Sequence, residues 1–187
     1  MSEVVASRGR RSKYDLISRI KLIDGDITKQ GDVDAIVASI TQDLRVEGGL
    51  NQAIMAAAGE RLDTFMMENI YKPRAGDAVV LPAFNMPMKH IIYVLAPARH
   101  KGFEYVDRDL LRLYRHAMQM AHRMELKSIA FPAFGTGKGQ YPVDRAARLA
   151  LQGITERQLG QLEEIRIVCN QRKTHDAFHK RLNKIKK

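Results

Sequence analysis

The chain is poor in cysteine, has no long apolar run and lacks most of the short motifs that announce catalytic chemistry. Cys169 is its single cysteine. No internal disulfide or multi-cysteine metal site can form, which agrees with a reducing compartment, and one isolated thiol reads as a small buried apolar side chain. The longest apolar stretch, Ile91–Ala98, falls far short of the roughly 20 residues that a membrane-spanning helix needs. Residues 1–13 are polar and basic without the apolar centre of a signal peptide. These absences predict a cytoplasmic protein without a membrane partner. There is no internal repeat and no G-x-S-x-G to present a serine nucleophile. His175-Asp176-Ala177-Phe178-His179 spaces two imidazoles by four residues, but Asp176 is not the glutamate of H-E-x-x-H and no third ligand is evident. The pair reads as surface residues, and neither metal nor cofactor is expected.

What is present is a globular composition on a scale that suits one domain: 187 residues, 45% of them hydrophobic. The net charge of +10 is uneven. Residues 1–14 hold four Lys/Arg and one acid, residues 171–187 hold seven and one, and the segment between is close to neutral. Residues 1–14 are therefore read as a basic flexible arm and 15–187 as a single domain ending in a basic helix, with nucleic-acid phosphates as possible partners of the termini.

The most informative stretch runs from Ser128 to Pro142. Ser128-Ile129-Ala130-Phe131 reads as a buried strand, Gly135, Gly137 and Gly139 follow in alternation, and Pro142 stands where a helix can begin. Alternating glycines let successive N–H groups converge on an anion, and Lys138 adds a cation there. The loop is not a Walker A motif, because Gly139 stands where Ser or Thr must follow Lys138 and the leading glycine is missing at Pro132-Ala133. It is not the dinucleotide fingerprint either, since Gln140 replaces the last glycine. The loop suggests phosphate without naming a nucleotide.

The other elements follow in order. Residues 20–24 form a strand leading into Gly25-Asp26-Ile27-Thr28, where Asp26 either caps a short turn at 28–32 or accepts hydrogen bonds from an exocyclic amine. Ala35–Ile40 has the continuous apolar pattern of a strand buried on both faces. After the polar loop at 41–47, Gly48-Gly49 opens a helix running to Gly59 and offers a second anion site. Strands at 77–81 and 90–95 read as antiparallel neighbours, and 107–124 as an amphipathic helix capped by Asp107. A helix at 142–154, a strand at 164–170 and a helix at 174–185 complete the chain. Strands alternating with helices predict a three-layer α/β/α domain.

Five ordered motifs resemble the macro domain family: Gly25-Asp26-Ile27-Thr28, Val33-Asp34-Ala35-Ile36-Val37, Gly48-Gly49-Leu50-Asn51-Gln52-Ala53-Ile54, Ala75-Gly76-Asp77-Ala78, and Ile129–Ala133 with Gly135-Thr136-Gly137. The resemblance spans about residues 17–185. It implies a mixed, mostly parallel sheet between helices, binding ADP-ribose or an ADP-ribosylated protein at the strand ends. By motif, Asp26 and the backbone of Ile27 would read adenine, with Asn170 nearby. Gly48 and Gly49 would line the pyrophosphate and distal ribose, Thr41 would meet a ribose hydroxyl, and Gly135, Thr136, Gly137, Lys138 and Gly139 would close over the phosphates.

The chain also departs from that family. The Asn-Ala-Ala-Asn typical of members that hydrolyse ADP-ribosyl or acetyl esters is replaced by Ala38-Ser39-Ile40-Thr41. Asn51 stands where an acid often orients the attacking water, and an amide is no general base. Gly139 stands where an aromatic lid is usual, and Asn170 where an aromatic often stacks on adenine. A binding module for ADP-ribose is the expectation. A hydrolase of ADP-ribosyl or O-acetyl conjugates is the alternative, and a nucleic-acid-binding protein using its termini a third.

Overall fold

The run Ala-Ile-Val-Ala-Ser-Ile has no polar side to turn towards water, so a strand made from it must be covered on both faces. The computed structural model, which describes residues 15–44, 46, 48–96, 107–136, 141–156 and 160–186, places it as β2 (Ala35–Thr41) inside a six-stranded sheet. Ala35 through Ile40 are all buried. The other strands are β1 (Ile20–Asp24), β3 (Ala78–Pro82), β4 (His90–Ala96), β5 (Ser128–Pro132) and β6 (Glu164–Cys169), and the order across the sheet is β1-β6-β5-β2-β4-β3. Every neighbouring pair is parallel except β3 and β4, whose short connection permits only the antiparallel pairing expected of them. The segment 1–14, read as a flexible arm, lies outside the described residues.

Helices α1 (Gly48–Ala58) and α2 (Glu60–Asn69) cover one face of the sheet with a 3-10 turn at Ile27–Lys29, and α3 (Asp107–Arg123), α4 (Val143–Thr155) and α5 (Arg172–Lys186) cover the other. Alternate residues of β2 divide between the layers. Ala35 and Val37 join Tyr114, Phe131 and Phe178, while Ile36, Ala38 and Ile40 join Ile54, Leu62, Met66 and Tyr93. The three-layer α/β/α reading holds.

Several local expectations need correction. The sequence reading carried one helix to Gly59 and passed directly to a strand, whereas α2 follows at once. Gly59 turns the chain at φ +90°, and a Cβ there would stand 2.7 Å from the Asn85 amide nitrogen. Only Leu62 and Met66 of α2 are buried, a stripe too thin to announce a helix. Asp107 is the first residue of α3 and not its cap. Its carboxylate accepts from the Tyr141 hydroxyl and pairs with Arg145 at 3.4 Å. Pro142 is the cap of α4, and α5 starts two residues before Thr174, at Arg172.

The carboxyl ends of the five parallel strands share one edge. From β2 the chain goes towards β3 and β4, and from β5 towards β6. The connections therefore diverge between β2 and β5, the switch point where open α/β sheets bind ligands. The β2–β5 ladder is two pairs long, Ala35 with Ile129 and Ile36 with Ala130. At the opposite edge, Asp34 Oδ2 accepts from the Lys127 and Ser128 N–H groups at 2.9 and 3.2 Å, and Asp34 N–H donates to Ser128 Oγ at 2.8 Å.

Helices α3 and α4 approach closely at Gly153, where a Cβ would lie 2.8 Å from Tyr114 Cβ and 3.1 Å from the Leu111 carbonyl oxygen. Gly153→Val should lower stability by about 1–3 kcal/mol through overpacking. A urea midpoint equal to that of the natural chain would show that the two helices do not meet through this glycine.

Candidate ligand-binding site

The cleft edge is assembled from four adjacent strands. At one end, Gly25 N–H donates to the Cys169 carbonyl at 3.0 Å, and the register pairs Asp24 with Cys169, so Asp26 and Asn170 both follow these paired strand ends. Asp26 caps the 3-10 turn: Oδ1 accepts from Thr28 N–H at 2.9 Å and from the Thr28 hydroxyl at 2.7 Å. The hydroxyl first, and then the backbone bond, hold this carboxyl below its ordinary pKa. The side chain is exposed, and Oδ2 has no hydrogen bond among the described residues. The capping reading is thus realised while one oxygen stays available to an amine. Ile27 is buried in the core under α1 and α2, so only its main chain can face a ligand. Asn170 is exposed.

At the end of β2, the Thr41 hydroxyl donates to the Asp43 carboxylate and keeps its lone pairs for a hydroxyl donor. Asn51 is buried, and its amide nitrogen donates to the Ser39 carbonyl at 2.9 Å, tying the first turn of α1 to β2. Gly48 has φ +82°, which explains glycine there without any close packing. No described atom lies within 4 Å of a Cβ built at Gly48 or at Gly49. Among the described residues, no neighbouring backbone makes a tight approach at the start of α1. Its first turn, Gly48 to Asn51, carries no acid.

At the end of β5 the loop is held by residues that the sequence reading did not single out. The buried Tyr114 hydroxyl donates to the Pro132 carbonyl at 3.3 Å and accepts from Phe134 N–H at 3.0 Å, while its ring packs against Phe131 and Phe134 at 5.4 Å. Thr136 folds back, its hydroxyl donating to the Ala133 carbonyl at 2.6 Å. Gly135 has φ +85° and lies under Tyr141, whose Cβ would stand 3.4 Å from a Gly135 Cβ. The Tyr141 hydroxyl donates to Asp107, and burial followed by that carboxylate pushes its pKa up to about 12. The loop is thereby fastened to α3 at both Tyr114 and Asp107. The i, i+4 apolar pattern of α3 could mark Tyr114 as core, but nothing local reveals its hydroxyl partners. Gly137, Lys138 and Gly139 lie outside the described residues.

Two other features supply no reactive group or metal ligand set. The buried Cys169 thiol is pushed up to about 12 by burial and then by Asp24, which makes it unreactive. Among the described residues no group of three or more His, Cys, Asp or Glu could hold a metal ion, and the His175 and His179 rings simply stack at 6.3 Å.

Against this geometry stand the comparisons with known proteins. The Macro domain family model matches residues 37–150. The chain belongs to the macro domain family. A macro domain-containing protein of Methanosarcina mazei is 33% identical over 171 residues, 90% of each chain. An O-acetyl-ADP-ribose deacetylase of Salmonella newport is 33% identical over 165 residues, 85% of this chain and 91% of that protein. A variant of the Oceanobacillus iheyensis macrodomain solved with ADPR superposes with a TM-score of 0.76 at 25% identity, covering 89% of this chain and 92% of that one.

Two substitutions test the fastening and the cap. Tyr114→Phe removes the hydroxyl from Phe134 N–H and the Pro132 carbonyl, which still pair with each other at 3.0 Å, and should cost about 0.5–1.5 kcal/mol; an unchanged unfolding midpoint would show that the loop is held otherwise. Asp26→Ala should cost about 1 kcal/mol near neutrality through loss of the cap. Because the folded pKa is depressed, that contribution is complete above the unfolded value of roughly 3.9 and fades as pH falls through the folded one. The gap between variant and natural chain should therefore close on acidification, and a gap independent of pH would contradict the charged cap.

Proposed function

We propose that the cleft binds ADP-ribose or an ADP-ribosyl group carried by a protein. The observation that carries this reading is the helix start at Gly48 and Gly49, tied to the end of β2 beside the short β2–β5 ladder, with no described atom within 4 Å of a Cβ at either glycine. Adenine lies towards Asp26 and Asn170, the diphosphate between the start of α1 and the β5 loop, and the distal ribose near Thr41. The solved macrodomain with ADPR supports this class of ligand through the shared fold. Binding without turnover is the preferred form, because Asn51 donates its amide to the Ser39 carbonyl and an amide cannot accept a water proton. Hydrolysis is the second reading, favoured by the likeness to the O-acetyl-ADP-ribose deacetylase over most of both chains. In that case the phosphates of the ligand itself would have to orient the water.

Calorimetric titration with ADP-ribose, against AMP and ribose-5-phosphate, should give micromolar affinity for the whole ligand and much weaker binding of either fragment. Gly49→Val adds a side chain where no described atom lies within 4 Å of its Cβ. It should leave the thermal midpoint unchanged or slightly raised, since glycine is a poor helix residue, while weakening ADP-ribose at least about tenfold, or about 1.4 kcal/mol. Equal affinity of variant and natural chain would remove the diphosphate from the start of α1. Release of ADP-ribose from a modified peptide, or of acetate from O-acetyl-ADP-ribose, would decide for the hydrolytic reading.

A further inference from the structure

The two helical layers differ sharply in charge. The α3, α4 and α5 layer carries twelve Lys/Arg and four Asp, a net +8, whereas α1 is uncharged and α2 has one Arg against three acids. The acids on or beside the basic layer neutralise few of its cations: Asp107 takes Arg145, Glu156 takes Arg115 and Asp176 takes Arg172. Arg108, Arg112, Arg148, Lys173, Lys180 and Lys184 are exposed and have no ion pair among the described residues. Helix α4 lies between α3 and α5, so these six cations cover one continuous face. On α5 the three lysines fall at i, i+7 and i+11, on a line turned away from the buried Thr174, Phe178 and Leu182. Their intervals are about 10 Å and 6 Å at the helical rise.

We propose that the outer face of α3, α4 and α5 binds the phosphate backbone of a nucleic-acid duplex. Charge of one sign spread over three rigid helices is the electrostatic footprint of a polyanion. The exposed large hydrophobic residues among those described are Val46, Met67 and Tyr71, and none is on these helices. Without them the face has no platform for stacking unpaired bases and no wedge to enter a lipid bilayer, which favours backbone contact with a duplex independent of sequence. The surface lies on the helical layer opposite α1 and does not depend on what the cleft binds. It also differs from binding by the terminal arm, since all six cations stand on packed helices.

The test is fluorescence anisotropy of the full chain with a labelled mixed-sequence duplex over a salt series. Six phosphate contacts predict a slope of log K on log salt of roughly −5, and an affinity loss of about 10³-fold between roughly 50 and 200 mM salt. The triple variants Lys173→Gln/Lys180→Gln/Lys184→Gln and Arg108→Gln/Arg112→Gln/Arg148→Gln should each shrink the slope by about 3. All six positions are exposed, so thermal midpoints should stay at that of the natural chain and lost binding reads as lost charge. Arg61→Gln, on the opposite layer, should bind like the natural chain. Duplex binding with the same affinity and slope in both triple variants would overturn the proposal. So would a failure to bind duplex at low salt, whether or not anionic vesicles or polyglutamate bind instead.

Discussion

The short ladder between β2 and β5 is the constraint on which the cleft depends. A parallel sheet gains by extending its pairing, yet here the pairing ends after Ile36 and Ala130. The strands can diverge because their other ends are locked. Asp34 gathers two N–H groups of the β5 entry on one carboxylate oxygen, gives its own N–H to Ser128, and accepts His90 N–H on its carbonyl. Three strands are thereby fixed at the edge opposite the ligand. With that edge held, the parting at the carboxyl edge costs the sheet little alignment and leaves β2, α1 and the β5 loop free to face one another.

Opening a sheet leaves polar groups to be satisfied, and the chain answers locally. The Asn51 amide takes the Ser39 carbonyl, and Tyr114 satisfies both an acceptor and a donor of the β5 loop. Asp107 then holds Tyr141 over Gly135 from the far side of that loop. The fit is incomplete deeper in the sheet. Ala38 is paired with Tyr93, the small side chain leaving room for the ring, but the Tyr93 hydroxyl is buried with no partner among the described residues, as is Ser39 Oγ. Burial drives the Tyr93 pKa upward, so the group stays a neutral phenol. An orphaned hydroxyl costs about 1–3 kcal/mol, a debt that sits directly beside the positions where Asn-Ala-Ala-Asn is replaced.

The sequence made some of this legible and hid the rest for identifiable reasons. Continuous apolar runs announced the buried strands, and the short connection between β3 and β4 announced their antiparallel pairing, because those signals are local. Helix α2 was missed because it buries only two side chains behind a glycine that looked like an end. Asp107 was misread because its partners, Tyr141 and Arg145, are more than thirty residues away, and a carboxylate before a helical pattern looks like a cap whatever it bonds. Tyr114 was visible as core while its two hydrogen bonds were not. Asp26 shows the opposite case: both readings offered by the sequence are compatible, since capping occupies one carboxylate oxygen and leaves the other.

Asn51 is where binding and chemistry come apart. A carboxylate at that position would lie buried against the Ser39 carbonyl, and two acceptors cannot share a hydrogen bond without a proton between them. The acid would have to turn towards the cleft and a water, or be protonated. An amide has a donor, so it can face the carbonyl and lock α1 to β2 instead. The replacement therefore changes a group that could hold a water for attack into one that holds the helix N-terminus in place. The amide thus steadies the start of α1, where Gly48 and Gly49 stand, and it cannot be the general base that a carboxylate at the same position could be.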